Sequence, residues 1–296
     1  MFRSSLVLAA LLLAPFAQAN DESRQELEEV VEEGGVASFV ANAIAHAKAT
    51  VKETSMTAIS KELRPYDQRF FPEGEGKVPT VLFFHGCSGP TASHEKDWAE
   101  KFNGAGIGMI AVDSYEGRGI DWQQACNFQA MTPWQRSADI LATIEDVKND
   151  PRVDAGQLYL AGFSHGAVTI WAALAQASAK SAPFSLAEWP KVGFEQHVQG
   201  AFMFYGSCMQ LWTVDVDSVM FLGADDRYIQ EEVCQAYKPN HPETAGNLTV
   251  KIYPGATHTF DHANPNQANI DAGSVYDAKA TEDAWQTMLK MIKGNQ

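Results

Sequence analysis

The chain is poor in positive charge and lacks both a membrane-spanning apolar run and the commonest zinc-ligand spacings. Its 296 residues include 22 lysines and arginines against 37 acidic residues, a formal net charge of −15 at pH 7. Such a charge repels nucleic-acid phosphates and anionic lipid headgroups. No C-x-x-C or H-E-x-x-H pattern occurs, so these motifs give no support to a metal centre. We expect no metal or other cofactor, no nucleic-acid partner and no membrane anchor.

The first 19 residues have the pattern of a cleavable export signal. Arg3 precedes an apolar stretch from Leu6 to Leu13, and Ala17-Gln18-Ala19 places small residues at a cleavage site. The stretch has about half of the roughly 20 residues that a spanning helix needs. No cysteine follows it that could carry a lipid. The pattern predicts cleavage after Ala19 and a periplasmic or secreted protein.

The chain has few cysteines, and their even number is compatible with disulfide pairing in an exported protein. The four cysteines are Cys87, Cys126, Cys208 and Cys234. In an oxidising compartment an even number favours disulfides, and four cysteines allow three pairings. Buried free thiols are the alternative, because cysteine is among the most buried residue types.

Beyond the signal, the chain divides into two parts, residues 20–77 and residues 78–296. The first part carries seven acids between Asp21 and Glu33, which predicts a solvated helix, and becomes strand-like around Val51 to Ile59. In the second, buried strands such as Val81 to Phe84 alternate with amphipathic helices such as Pro133 to Val147. Strand-then-helix order predicts an α/β fold, with a mostly parallel sheet and helices on both faces.

The segment Gly162-Phe163-Ser164-His165-Gly166 matches the G-x-S-x-G pattern of a nucleophile elbow. It lies between a predicted strand that ends at Ala161 and a predicted helix that begins near Ala167. A tight strand-to-helix turn needs small flanking residues and exposes the central hydroxyl beside a helix N-terminus. We therefore predict that Ser164 is a nucleophile; the alternative is a spectator serine in a glycine-flanked turn.

A serine nucleophile needs a base and an orienting carboxylate, and both follow later predicted strands. Asp226 lies just after one strand end and His258 just after the next. The order Ser164, Asp226, His258 is that of an α/β-hydrolase. We prefer Asp226 to Asp225, whose alternative role is a turn-forming carboxylate. His262 is the competing histidine; His258, Asp261 and His262 together also make a weak metal pattern.

Backbone N–H groups of Cys87 and His165 are the predicted oxyanion hole. One follows the first buried strand in His85-Gly86-Cys87-Ser88-Gly89, and the other directly follows Ser164. We expect the His85 side chain to order its loop or line the substrate pocket. Cys87 lacks an elbow around it and is a poor candidate for the nucleophile.

These motifs together resemble the dienelactone hydrolase family of α/β-hydrolases, particularly exported members with an H-G-C-x-G loop. The likeness covers roughly Val78 to Ile292. It implies an α/β-hydrolase fold, a Ser164–His258–Asp226 triad, and pairing of Cys87 with Cys126 and of Cys208 with Cys234. It also matches Arg118 to an arginine that holds a substrate carboxylate.

Three departures from the family pattern bear on the substrate. Ser164 stands where the family's dienelactone hydrolases have cysteine, their glutamate near the oxyanion loop is missing, and no arginine follows His258. We therefore predict an exported serine hydrolase for a small ester or lactone, and the departures argue against dienelactone itself as the substrate. The alternatives are a non-catalytic binding protein on the same scaffold, a serine acyltransferase and a peptidase. Arg118 has the alternative role of a loop-ordering ion pair.

Overall fold

A computed structural model describes residues 51–294, together with residues 41, 42 and 45. The predicted signal at 1–19 and the predicted acidic helix at 21–33 lie outside the described residues. The strands are β1 Gln68–Phe70, β2 Val78–Phe84, β3 Gly108–Val112, β4 Val153–Phe163, β5 Val198–Phe204, β6 Ser218–Gly223 and β7 Leu248–Tyr253. The α-helices are α1 Met56–Leu63, α2 Ala92–Gly104, α3 Trp122–Cys126, α4 Pro133–Val147, α5 His165–Ala179, α6 Phe194–His197, α7 Glu231–Tyr237, α8 Gln267–Asp271 and α9 Ala278–Gly294.

The seven strands form one mostly parallel sheet, which confirms the predicted α/β architecture. Their order is β1-β3-β2-β4-β5-β6-β7, and only the edge pair β1–β3 is antiparallel. The chain places β3 on one side of β2 and then β4 on the other. Such a reversal opens a crevice beyond the carboxyl ends of β2 and β4, where open parallel sheets bind ligands.

Helices cover both faces of the sheet, so the covered parts of the central strands are mostly apolar on both faces. In β2, Leu82 and Phe84 pack with α4 and α5 on one face, while Val81 and Phe83 pack with α2 and α9 on the other. All four side chains are fully buried. The four-residue apolar run that predicted a covered strand thus supplies both cores.

The predicted strand character around Val51 to Ile59 is wrong. The Ser55 side chain accepts the Ala58 N–H at 3.2 Å and caps α1. Ile59 and Leu63, four residues apart, bury one helical face against α4. Residues before 78 join both cores, since α1 packs on one face of the sheet while Phe70 of β1 packs on the other. The predicted division at residue 78 stays a prediction.

None of the helices in the described residues combines the length and apolar character needed to cross a membrane.

Candidate active site

The segment from Gly162 to Gly166 forms a sharp turn between β4 and α5. Ser164 has φ 51° and ψ −113°, a backbone conformation that non-glycine residues rarely adopt. A Cβ atom at Gly162 would overlap the Gly166 backbone, and one at Gly166 would overlap the Phe84 carbonyl. Only glycine therefore fits on either side of the turn, and the close approach brings the end of β2 against the serine.

Ser164, His258 and Asp226 form a continuous chain of hydrogen-bonding groups. The Ser164 Oγ lies 3.0 Å from His258 Nε2, and His258 Nδ1 lies 2.7 Å from Asp226 Oδ2. The Asp226 side chain is 1% exposed and that of His258 is 13% exposed. With a carboxylate at Nδ1, the neutral imidazole carries its proton there and presents Nε2 as an acceptor to the hydroxyl.

Backbone bonds fix the carboxylate of Asp226. Its Oδ1 atom accepts the N–H groups of Tyr228 at 2.8 Å and Ile229 at 3.2 Å. Asp225, the alternative acid, is exposed, and its N–H donates to the Ala256 carbonyl at 2.9 Å. The structure thus brings Asp226 to the histidine and leaves Asp225 at the surface.

His262, the alternative base, makes no hydrogen bond to Ser164 among the described residues, although it lines the same cavity. It is buried and its ring stacks on that of His94 with centroids 3.6 Å apart. Burial, together with the neighbouring His94, lowers the pKa of His262 to about 3. Of the two candidates, His258 is the one within hydrogen-bond reach of Ser164.

The loop after β2 lies beside Ser164, and the His85 ring holds it there. His85 Nδ1 donates to the Gly86 carbonyl at 2.7 Å, and Nε2 accepts the Ser114 N–H at 3.2 Å. A Cβ atom at Gly86 would lie 3.6 Å from the Ser164 Cβ. Burial, reinforced by the nearby Arg136, holds the pKa of His85 well below its usual value. The neutral ring therefore orders the loop, although it also lines the cavity.

His165 opens α5, and hydrogen bonds fix both nitrogen atoms of its ring. Nε2 donates to the Met131 carbonyl at 3.1 Å, while Nδ1 accepts from Arg136 Nη1 at 3.1 Å. Burial and the Arg136 charge lower its pKa to about 3. The backbone N–H groups of His165 and Cys87 have no acceptor among the described residues. The N–H group of His165 is free because it lies in the first turn of a helix. Both N–H groups are therefore available to bind an anion.

A cavity of about 710 Å³ opens over Ser164 and His258. Its walls include the Cys87–Cys126 disulfide, which ties the loop after β2 to α3. A second disulfide joins Cys208 to Cys234 and ties the loop after β5 to α7. The pairing is the one that the family resemblance implies.

Arg118 does not reach this cavity, so its assignment as a substrate-binding residue is corrected. Its Nη1 and Nη2 atoms donate to Asp139 at 2.9 and 2.8 Å, and Nε donates to Glu62 at 2.8 Å. Glu62 lies on α1 and Asp139 on α4, and neither lines the cavity. Arg118 therefore ties its loop to α1 and α4, which is the alternative role that the sequence allowed.

Asp261 belongs to a buried hydrogen-bonded cluster that the sequence analysis did not predict. Its Oδ2 accepts from His94 Nε2 at 2.7 Å and from Trp98 Nε1 at 2.9 Å, and its Oδ1 accepts from Tyr205 Oη at 2.8 Å. Burial alone would raise its pKa, but His94 and Trp98 outweigh that effect and hold it below the usual range.

His94, Asp261 and His262 are the described residues that could gather around a metal ion. N–H and O–H donors occupy both Asp261 oxygens, however, so the carboxylate is engaged by the protein itself. The weak metal pattern in the sequence is better explained as an anchor for the loop that carries His258.

Sequence reasoning also missed Glu95, Tyr205 and Arg136. Glu95 lines the cavity, is 2% exposed, and has its pKa raised to about 7 by burial. Tyr205 follows β5, and its ring lies 4.7 Å from that of His258. The position of Tyr205 at a strand end was a usable signal. The only signal for Arg136 was a charged side chain among the apolar residues of α4, a signal that it shares with the buried Asp139.

Comparisons with known proteins agree with this geometry. The model of the dienelactone hydrolase family matches residues 69–185 and 189–295. The dienelactone hydrolase-like promiscuous phosphotriesterase P91, from metagenomic libraries, is 16% identical, with a TM-score of 0.56 over 77% of this chain and 97% of that one. Thermogutta terrifontis esterase 2, phosphorylated by paraoxon, is 13% identical, with a TM-score of 0.54 over 75% and 85% of the two chains. Curated protein sequences give no significant match. The chain belongs to the dienelactone hydrolase family and is a carboxylic ester hydrolase with the α/β-hydrolase fold.

Proposed function

We propose that this protein is an exported serine hydrolase that cleaves a small neutral ester or lactone through an acyl-enzyme on Ser164. The observation that carries the proposal is the continuous hydrogen-bond path from the Ser164 hydroxyl through His258 to Asp226. A hydroxyl is a weak nucleophile until a base accepts its proton, and a carboxylate-held imidazole is such a base.

In the first half of the reaction, Ser164 Oγ attacks the carbonyl carbon while His258 Nε2 accepts the hydroxyl proton. The carbonyl electron pair moves onto oxygen, where the N–H groups of Cys87 and His165 donate to it. Asp226 stabilises the imidazolium that forms. His258 then returns the proton to the leaving oxygen as the carbon–oxygen bond breaks, and the acyl group remains on Ser164.

Water then hydrolyses the acyl-enzyme by the same steps, with water as the nucleophile and Ser164 Oγ as the leaving group. His258 accepts a proton from water as its oxygen adds to the acyl carbon. Collapse of the second oxyanion breaks the bond to Ser164 Oγ, which takes the proton back from His258. The products are a carboxylic acid and an alcohol, or one hydroxy acid when the substrate is a lactone.

The charge of the cavity supports a neutral substrate. Among the described residues that line it, Arg227 alone carries a permanent positive charge, and Arg227 is exposed. Arg118 is bound to Asp139 and Glu62 elsewhere. A substrate carboxylate such as that of dienelactone would lack the buried cation pair that the family uses to hold it.

Export is supported by the sequence of the first 19 residues and by both disulfides. Disulfides persist in oxidising compartments and are rare where glutathione keeps thiols reduced. The proposed location is therefore the periplasm or the extracellular space.

Hydrolysis of p-nitrophenyl butyrate tests the role of Ser164. We expect Ser164→Ala to lower kcat by at least about 10⁴-fold, since removal of a triad nucleophile abolishes the covalent route. Ser207→Ala is the matched control, because Ser207 also lines the cavity and makes no bond to His258. Undiminished turnover in Ser164→Ala would reject the proposal.

Paraoxon titration separates an enzyme from a binding protein on the same scaffold. We expect one p-nitrophenol released per chain and a diethylphosphoryl group on Ser164, as located by peptide mass spectrometry. The thermophilic esterase of similar fold is phosphorylated by this compound. If folded protein remains unlabelled at Ser164, the non-catalytic alternative is favoured.

A further inference from the structure

Arg136, on α4, is a buried guanidinium that no carboxylate in the described part of the chain pairs with directly. Its residue exposure is 0%. Its Nε donates to Ser114 Oγ at 2.9 Å, and its plane lies over the Tyr115 ring, 5.4 Å from the centroid. Asp139, one turn further along α4, is already bound by Arg118. Neutral groups alone therefore contact the Arg136 charge.

Keeping an unpaired charge in the interior costs stability. Burial of an ion without a partner is unfavourable in proteins, and here burial lowers the pKa of Arg136. The Nη2 atom of Arg136 has no hydrogen-bond partner among the described atoms. A hydrophobic residue would fill the site without this cost, so the charge must be explained by what it contacts.

One nitrogen of Arg136 connects the two segments that form the proposed oxyanion hole. Its Nη1 donates to the His85 carbonyl at 2.9 Å and to His165 Nδ1 at 3.1 Å. His85 lies two residues before Cys87, in the loop after β2. His165 carries the second N–H group of the hole. The two hydrogens of Nη1 therefore link the two halves of the hole.

The partners of Arg136 are themselves fixed, so the link is rigid. Ser114 accepts from Arg136 Nε through its hydroxyl, and its N–H donates to the His85 ring. The His165 ring donates on its other side to Met131. A shift of either segment would break a bond to Arg136 and leave a buried group unpaired.

We propose that Arg136 is a positioning residue of the oxyanion hole. It sets the spacing between the N–H groups of Cys87 and His165, and its unpaired positive charge favours the negative charge that develops on the substrate oxygen between them. The inference rests on the proposed function, because it needs an oxyanion beside Ser164.

Loss of Arg136 should affect kcat more than KM, because the negative charge on the substrate oxygen develops only during the reaction. The oxyanion exists in the transition state and intermediate and not in the bound ester, so loss of its support lowers kcat and leaves KM nearly unchanged. Loss of a direct oxyanion donor costs about 10²- to 10³-fold in kcat. Because Arg136 acts through other groups, we expect about 10- to 100-fold for Arg136→Met.

The experiment compares Arg136→Met and Arg136→Lys with Arg69→Met and Arg69→Lys. Arg69 is an arginine on β1 whose ion pairs with Asp146 and Asp150 lie outside the cavity. Each variant is assayed with p-nitrophenyl butyrate and with the thionoester in which sulfur replaces the carbonyl oxygen. Sulfur is larger and a weaker acceptor, so an intact hole prefers the oxygen ester.

We expect Arg136→Met to lose both kcat and part of the preference for the oxygen ester, with KM within about twofold of the parent. Arg136→Lys keeps the charge and should recover part of both. The Arg69 variants should keep the parent kcat and preference. Ser114→Ala, which removes the partner of Arg136 Nε, should change both in the same direction and tests the inference if both Arg136 variants fail to fold.

An unchanged preference between the two esters in folded Arg136 variants, or in Ser114→Ala if those do not fold, would overturn the inference, whatever happens to kcat. Failure of the proposed function has a different signature. In that case the parent protein itself would show no turnover and no labelling of Ser164 by paraoxon.

Discussion

Replacing Asp226 by asparagine tests the triad most sharply, because the surrounding backbone dictates how the new amide must point. Asp226 Oδ1 accepts the N–H groups of Tyr228 and Ile229 at 2.8 and 3.2 Å. In Asp226→Asn the amide oxygen has to take that place, since an NH₂ group there would face two donors. The NH₂ group is then directed at His258 Nδ1.

The reversed polarity changes the tautomer of His258. An imidazole that accepts at Nδ1 carries its proton on Nε2, 3.0 Å from the Ser164 Oγ. A protonated Nε2 cannot accept the hydroxyl proton. The same substitution in a serine protease lowers kcat by about 10⁴, which corresponds to about 5.5 kcal/mol in the barrier. We expect a loss of that order here, with little change in KM.

The assay is steady-state hydrolysis of p-nitrophenyl butyrate by the parent, Asp226→Asn and Asp225→Asn. The second variant makes the same chemical change one residue away at an exposed position, so it should keep the parent kcat. If Asp226→Asn retained more than about a tenth of the parent kcat, or if Asp225→Asn lost as much, the tautomer argument would be refuted.

Two further predictions concern the framework of the site. Gly166→Ala should yield little folded, active protein, because its Cβ would overlap the Phe84 carbonyl; Gly156→Ala, whose Cβ would meet only an ordinary contact, should keep the parent yield and kcat. Asp261→Asn should lower the free energy of unfolding at pH 7 by about 3 kcal/mol, measured by urea unfolding. Because the folded protein depresses the pKa of Asp261, this stabilisation is present above the unfolded value of about 3.9 and declines as pH falls towards the folded value.

These framework predictions have clear contrary outcomes. A soluble Gly166→Ala protein with the parent kcat would mean that the elbow does not need its close approach to β2. A difference between Asp261→Asn and the parent that stayed constant from pH 7 to pH 3 would mean that the carboxylate charge does not stabilise the fold.

Local sequence patterns were enough to predict most of the helices and strands and the order of the candidate site residues along the chain. Pro133 to Val147 and Leu248 to Tyr253 were predicted with the bounds that the structure has, because a proline at a helix start and apolar residues at alternate strand positions are local signals. Ser164, Asp226 and His258 could be predicted as neighbours because each lies within five residues after the end of a strand in a parallel sheet. The carboxyl ends of such strands share one edge, so position along the chain predicts proximity in space.

Tertiary structure alone decided the groups behind the site. The Arg118 side chain is held outside the cavity by Asp139, an acid 21 residues away. No local sequence pattern predicts that pairing. Arg136 contacts His85 and His165, 51 and 29 residues away. Buried polar groups are satisfied by whatever packing brings to them, and that packing is a property of the assembled layers and of no single segment.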